Sequence, residues 1–306
     1  MEVHFIINPK AGNGQGVNRW RHFQKQLTIP YQIHWTEYKG HSLLLAKELA
    51  GRSTKENPVC LIAIGGDGTI HEVLNGAIHY DNVYIGAISA GSGNDFARGY
   101  KAFETGEQLE QFVNTVKSTS HDCGVVNLNG ITKYFINNFG VGFDALVANT
   151  ANNSPLKSTL NKWKLGKLSY PYYVIQALFS YRPFTLTVFQ EERIRRYENV
   201  WFVTASNQPY FGGGMKLSPQ SNTTDGRFEL TVVSNLSKWK LLFLFGTVFL
   251  GKHTLLKEVE QFAATDVQLI FEDPVLVHAD GETQKLTPGQ NTIEISVQKN
   301  AWNLAK

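Results

Sequence analysis

The sequence predicts an α/β N-terminal domain built on a parallel sheet, followed by an antiparallel, β-sandwich-like C-terminal domain. Three observations predict it. Strand-like and helix-like segments alternate up to about residue 122, as in a sheet whose parallel strands are joined by crossover helices. The run VCLIAI (59–64) is apolar without alternation, which marks a strand covered on both faces. Beyond residue 122 the segments are short and β-rich, and several alternate apolar with polar residues.

The first domain's strands are expected at VHFIIN (3–8), YQIHWTE (31–37), VCLIAI (59–64) and VYIGAIS (83–89), with helices between them. Ile70, Val73, Leu74, Ala77 and Ile78 recur at i, i+3, i+4, i+7 and i+8, one face of a helix. Thr69 and Glu72 fit the capping box T-x-x-E, which would start that helix at the glycine loop GGDG. The second domain's strands are expected at 184–189, 200–206, 227–233, 267–272 and 291–298, with helices around 156–181 and 238–252. EERIRR (191–196) reads as a charged hairpin tip. The expected division is 1–122 and 123–298, with 299–306 returning to complete the first domain.

The 306 residues carry a net charge of +3 and 18% charged side chains, a balance that argues against a dedicated nucleic-acid binder. Two cysteines, Cys60 and Cys123, form no disulfide pattern, which points to a reducing cytosol. No signal peptide is evident at the N-terminus, and the longest nearly apolar stretch, LLFLFGTVFLG (241–251), is too short to span a bilayer. A cytoplasmic protein is expected.

No GxxxxGK[ST] P-loop is present. Instead, polar or glycine-rich turns follow three strands: NPKAGNGQG (8–16), GGDG (65–68) and SAGSGNDFARG (89–99). Turns at the carboxyl ends of parallel strands lie on one crest, where such sheets bind ligands. A helix N-terminus offers N–H groups to phosphate, and glycine lets phosphate approach the backbone. A turn without a ligand would explain one such motif; three on one rim favour a ligand. Asp67 fits that bland reading least: a carboxylate beside phosphate-binding amides repels phosphate unless a cation intervenes, and Mg²⁺ takes carboxylate, phosphate and water oxygens.

NPKAG (8–12), GGDGT (65–69) and GSGND (91–95), followed by DCGVVN (122–127), TDGRFEL (224–230) and DGE (280–282), resemble the diacylglycerol kinase-type lipid kinases, soluble bacterial branch. The resemblance spans nearly the whole chain. It implies an NAD kinase/diacylglycerol kinase-like fold using ATP and Mg²⁺. It places Asn8, Lys10, Thr36, Gly65, Gly66, Asp67, Gly68, Thr69, Ile70, His71 and Glu72 around the nucleotide. Gly91, Ser92, Gly93 and Asn94 join them, with Ser92 standing where many relatives have threonine. It implies a structural Mg²⁺ held by the Asp225 side chain and the carbonyls of Asn222 and Arg227. Glu282 matches the general base, and Asp67 is the second catalytic carboxylate. Asp95 and Asp122 match acidic motif positions that either order metal and water or serve as caps and loop ties.

The activity implied is ATP-dependent phosphorylation of a hydroxyl on a diacylglycerol-like lipid, giving a phosphatidate-type product. Two alternatives stay open: an NAD kinase-like kinase of a soluble substrate, since GGDGT is shared, and a non-catalytic nucleotide or lipid sensor. The partners expected are a lipid alcohol and, during catalysis, a membrane surface; nucleic acid is not expected and a homodimer stays open. Lys157, Lys162, Lys164 and Lys167 interleave with Leu156, Leu160, Trp163 and Leu168 in a basic segment suited to an anionic surface. WKLLFLFGTVFLGKH (239–253) is the second candidate for that surface, although a helix packed on the protein explains either segment as well.

Overall fold

The computed structural model describes residues 1–91, 93–128, 130–154, 166–286, 289 and 291–306, with the backbone alone at 152–153 and 166–171. It divides into two compact units, Met1–His121 with Lys299–Lys306, and Asp122–Gln298.

The first unit contains β1 (Glu2–Ile7), α1 (Gln15–Phe23), β2 (Gln32–Trp35), α2 (His41–Ala50), β3 (Val59–Gly65), α3 (Asp67–Ala77), β4 (Val83–Ser89), α4 (Asp95–Tyr100) and α5 (Gly106–Thr115). Its strands are all parallel, in the order β4-β3-β1-β2. All seven residues of β3 are buried, as its unbroken apolar run requires. Helix α3 buries Ile70, Val73, Leu74 and Ala77, the face read from their spacing. Phe5 packs on Trp20 at 4.7 Å between ring centroids, in a core shared with Phe23, Ile62, Ile64 and Phe112. Because the strands are parallel, the segments following β1, β2, β3 and β4 emerge on one edge of the sheet.

The chain passes between the units within β5 (Ser118–Leu128) and β17 (Thr292–Ala305). Asn303 and Leu304 of β17 run parallel to Tyr84 and Ile85 of β4.

The second unit adds β6 (Ile131–Phe135), β7 (Asn138–Gly142), α6 (Phe143–Asn153), α7 (Gly166–Ser180), β8 (Phe184–Gln190), β9 (Arg193–Ser206), β10 (Tyr210–Phe211) and β11 (Met215–Lys216). There follow β12 (Phe228–Ser234), α8 (Lys238–Val248), β13 (Val259–Ala264), β14 (Asp266–Phe271), β15 (Leu276–Ala279) and β16 (Glu282–Lys285). These strands pair antiparallel in the order β16-β15-β7-β9-β8-β14-β17, with β12 joining β9 to β13. The long β9 pairs with β8 over Arg193–Val200 and with β7 over Phe202–Ser206. Two apolar clusters result. One lies among the strands around Phe135, Phe139, Val203, Phe228 and Ile293. The other lies beneath the helices around Phe143, Tyr173, Trp201, Leu241 and Leu244. The α/β first unit and the antiparallel second unit are the fold class that the sequence predicts.

Several expectations change in detail. The capping box Thr69–Glu72 does not form: α3 begins at Asp67, its cap is Gly66, and no side chain bonds the cap. A capping box does form at α5, where Thr105 and Gln108 exchange bonds. The helix expected over 238–252 stops at Val248, and Gly251 in the turn beyond takes φ +67°. Of the helix expected over 156–181, Gly166–Ser180 is described. Leu156, Lys157, Leu160, Lys162, Trp163 and Lys164 lie outside the described residues, as do the side chains of Lys167 and Leu168. In EERIRR only Glu191 and Glu192 form the tip, because Gln190 already pairs with Arg193. Both cysteines are free and buried, and burial pushes both thiols up. Among the described residues, no helix is long and apolar enough to cross a membrane.

Candidate functional site

In the first unit the turns predicted to carry the nucleotide are tied to one another. Asn8 Nδ2 donates to Thr69 Oγ1 at 3.0 Å, and Asn8 Oδ1 accepts the Lys10 N–H at 3.0 Å. The Ala90 N–H donates to the Gly65 carbonyl at 2.8 Å, and the Thr36 N–H to the Ile7 carbonyl at 2.9 Å. Two glycines exist for this packing. A Cβ on Gly12, which has φ +57°, would lie 2.1 Å from the Ala90 carbonyl oxygen, and one on Gly91 would lie 2.6 Å from Gly66 Cα. The glycine pattern is therefore first a rule of turn-on-turn contact.

Asp67 occupies the first turn of α3, where the helix dipole favours negative charge. Its Oδ1 accepts the Phe96 N–H at 2.9 Å, which links the GGDG turn to the start of α4. Glu72 reaches away from its own helix end and accepts the Gly40 N–H at 2.9 Å, fixing the segment after β2. The local capping box fails because the helix already begins at Asp67, which puts Thr69 inside its first turn; Glu72 and the Thr69 hydroxyl each take a tertiary partner instead. Ile70 is 1% exposed, and its N–H bonds the Gly66 carbonyl. His71 is half-buried against Asn75, and Thr36 is buried. Gly68 and Lys10 are exposed, while Gly91, Gly93 and Asn94 are half-buried. Ser92 lies outside the described residues. Asp95 is buried and paired with Arg98 at 3.1 Å. By helix geometry the first N–H groups of α3 have no acceptor within the helix. The start of α3 is therefore suited to an anion, and the Asp67 carboxylate lies in the same turn.

In the second unit, DGE is a two-residue hairpin: Ala279 pairs with Glu282, and Asp280 and Gly281 take φ +48° and +88°. Positive φ at both central positions matches the twist of the flanking strands. The Asp280 carboxylate accepts N–H groups from Ile136, Asn137 and Asn138 at 2.8, 2.9 and 2.9 Å. It clamps the hairpin to the segment entering β7, and Glu282 is presented half-exposed at the clamped end.

The turn before β12 carries the expected metal position. Asp225 is exposed, and its Oδ1 accepts the Arg227 N–H at 3.0 Å. Asn222 and Arg227 are also exposed, and Asn222 Oδ1 accepts from the Thr224 N–H at 3.1 Å. The buried Asp122 secures the turn through the Gly226 N–H, at 2.7 Å to its Oδ2, and its own N–H donates to the Thr223 carbonyl. Among the described residues no group of three His, Cys, Asp or Glu side chains is placed to hold a metal. One carboxylate with carbonyls and water nevertheless fits Mg²⁺, which commonly uses one or two carboxylates and keeps several waters. Nearby, burial first and the Asp225 charge second hold the Glu229 carboxyl above the usual range.

A further constellation escapes the sequence reading. Asp144 lies in the first turn of α6 and is 7% exposed; its Oδ2 accepts from Thr204 Oγ1 at 3.0 Å and His278 Nε2 at 3.2 Å. The Gly281 N–H lies 3.4 Å from His278 Nδ1, so the imidazole runs from Asp144 to the DGE tip. Phe211 stacks on that ring at 5.2 Å and 10°. Gly140 leaves the space: a Cβ there would lie 1.9 Å from Asp144 Oδ2. Among the described residues, Asp144 is the one charged member of a slot otherwise lined by Phe143, Val147, Phe202, Leu217, Leu244, Val248 and their apolar neighbours. The space in the slot is about 30 Å³, enough for a water molecule. Burial first, then the Asp144 charge, pushes the Tyr181 phenol up. The signal available in the sequence is GVGFDALVA (140–148), a second strand–glycine–aspartate–helix pattern.

Both halves of the chain match known families. Residues 2–127 match the diacylglycerol kinase catalytic domain, and residues 137–299 match the YegS C-terminal NAD kinase beta sandwich-like domain. "Putative lipid kinase YtlR" of Bacillus subtilis (strain 168) is 35% identical over 293 residues, 93% of this chain and 94% of that protein. "Diacylglycerol kinase" of Mycobacterium tuberculosis (strain ATCC 25618 / H37Rv) is 27% identical over 284 residues, covering 92% and 88%. The crystal structure of a diacylglycerol kinase from Bacillus anthracis str. Sterne superposes with a TM-score of 0.69 at 17% identity, covering 99% and 96%. Yeast NADH kinase superposes at 0.52 with 11% identity, covering 99% and 82%, a likeness of fold. From the motif order, the matched halves and these relatives, the chain belongs to the bacterial diacylglycerol kinase-type lipid kinase family.

Proposed function

We propose that the protein transfers the γ-phosphoryl group of ATP to a hydroxyl of a diacylglycerol-like lipid, releasing ADP and a phosphatidate-type product. The hydroxyl oxygen forms the new bond to phosphorus, its proton passes to the Glu282 carboxylate, and the bond to the ADP oxygen breaks. Donor N–H groups at the start of α3 and at Gly91, Gly93 and Asn94 orient the phosphates. Asp67 would hold Mg²⁺ beside them, and Asp225 with the Asn222 and Arg227 carbonyls would hold a structural ion. When bound, Mg²⁺ supplies positive charge against the phosphate oxygens.

The observation that favours a lipid over a soluble acceptor is the likeness, over more than nine-tenths of the chain, to proteins named putative lipid kinase and diacylglycerol kinase; beside it, the apolar slot walled by Asp144 is the candidate place for the alcohol end of the acceptor. A carboxylate accepts hydrogen bonds from an alcohol, while apolar walls suit the hydrocarbon that follows it. Val248 is 3% exposed on the slot wall. Val248→Phe should raise the lipid KM about tenfold or more, at a stability cost of about 1–3 kcal/mol, with nucleotide affinity unchanged. Lipid kinetics, nucleotide titration and thermal melting on one preparation check this. An unchanged lipid KM in the folded variant would remove the slot from acceptor binding.

A further inference from the structure

Helix α8 is apolar on nearly every side, and such a helix is ordinarily buried. Its inner face is: Leu241, Leu244 and Val248 pack into the second unit and wall the slot. Its outer face is not. Trp239 is 73% exposed and Phe243 80%; in the turn beyond, Leu250 is 69% and Leu255 82% exposed. On α7, Tyr172, Ile175 and Phe179 are also exposed, at a spacing of three and four residues. Lys238 Nζ lies 5.9 Å above the Phe179 ring, which makes the two exposed stripes neighbours. Single exposed hydrophobes need no explanation, whereas a contiguous group of this size marks a docking surface.

The charges around the group select its occupant. Residues 237–257 contain four lysines, Lys238, Lys240, Lys252 and Lys257, and no acidic residue. Lys240 pairs with Glu258 at 2.7 Å, just outside that segment. A second copy of the chain would set these lysines against like charge. An anionic bilayer meets both demands, because aromatic and aliphatic side chains enter the headgroup boundary while lysine stems lie along it with their ammonium groups among the phosphates.

We propose that the outer face of α8 and the turn after it, Trp239, Phe243, Leu250 and Leu255 flanked by Lys238, Lys252 and Lys257, inserts shallowly into an anionic lipid bilayer. The lipid-kinase reading guides the choice of a bilayer, and the same helix has the slot on its other side. Membrane contact and acceptor entry then fall on opposite faces of one helix.

The test uses the full chain and vesicles of phosphatidylcholine, alone and mixed with phosphatidylglycerol. Wild type should sediment with the mixed vesicles and far less with phosphatidylcholine alone. Trp239→Ser/Phe243→Ser/Leu250→Ser should bind the mixed vesicles about a hundredfold less tightly. Lys238→Gln/Lys252→Gln/Lys257→Gln should bind less tightly and lose most of the salt dependence. In detergent micelles both variants should phosphorylate lipid as wild type does, while on vesicles the serine variant should lose most turnover. Wild-type vesicle binding by the serine variant would overturn the proposal. So would a wild-type dimer that ignores vesicles and that the serine variant dissociates, since a second copy would then cover the face. Vesicle binding without lipid phosphorylation in any dispersion would overturn the kinase reading and leave the docking face standing.

Discussion

Glu282→Gln should lower lipid phosphorylation about 10²–10⁴-fold while nucleotide affinity stays within a factor of about two of wild type. Glu282 opens β16 directly after a hairpin tip held by other groups: Ala279 pairs with it through the backbone, and Asp280 takes three N–H groups from 136–138. Glutamine has the same shape and keeps a carbonyl oxygen, so the hairpin stays clamped and the melting temperature should hardly move. Only the capacity to take a proton is lost. If DGE were merely a hairpin turn, the variant would turn over lipid like wild type. Parallel measurement of turnover, nucleotide binding and melting separates the two.

Asp67→Asn should lower turnover about 10²-fold or more and raise the Mg²⁺ concentration needed for half-maximal activity, because the cation loses its anionic partner. Asp67 also carries a structural bond from its Oδ1 to the Phe96 N–H. Asparagine retains that acceptor, so its melting temperature should stay near wild type. Asp67→Ala removes charge and bond together and should in addition cost about 1 kcal/mol of stability. A Mg²⁺ titration of both variants beside their melting curves makes the comparison. Wild-type Mg²⁺ dependence in Asp67→Asn would reduce this residue to a tie between two turns.

The parallel core was legible because burial on both faces writes itself into composition: VCLIAI needs no alternation when each residue of β3 is buried. The face of α3 was equally plain, since Ile70, Val73, Leu74 and Ala77 repeat at helical spacing. The start of the same helix misled. T-x-x-E is a local pattern, and Glu72 instead bonds Gly40, 32 residues away. The strands between Ser118 and Gly142 are hidden for two reasons: polar residues break the period of β5, and β7 is a short, glycine-rich run buried at every position. GVGFDALVA marks Asp144, but its network was hidden for a related reason. Its partners Thr204 and His278 lie 60 and 134 residues along the chain, beyond the reach of any short window. The glycine motifs were seen, yet their packing role at Gly12 and Gly91 emerges only when turns from different strands meet.

The most direct measurement is phosphate transfer itself: incubate the full chain with γ-labelled ATP, Mg²⁺, a total lipid extract and NAD⁺, then identify the labelled product by mass. The expected result is label in an organic-soluble lipid one phosphate heavier than its alcohol precursor. Label confined to phosphorylated NAD⁺, or none beyond ATP and free phosphate, would contradict it.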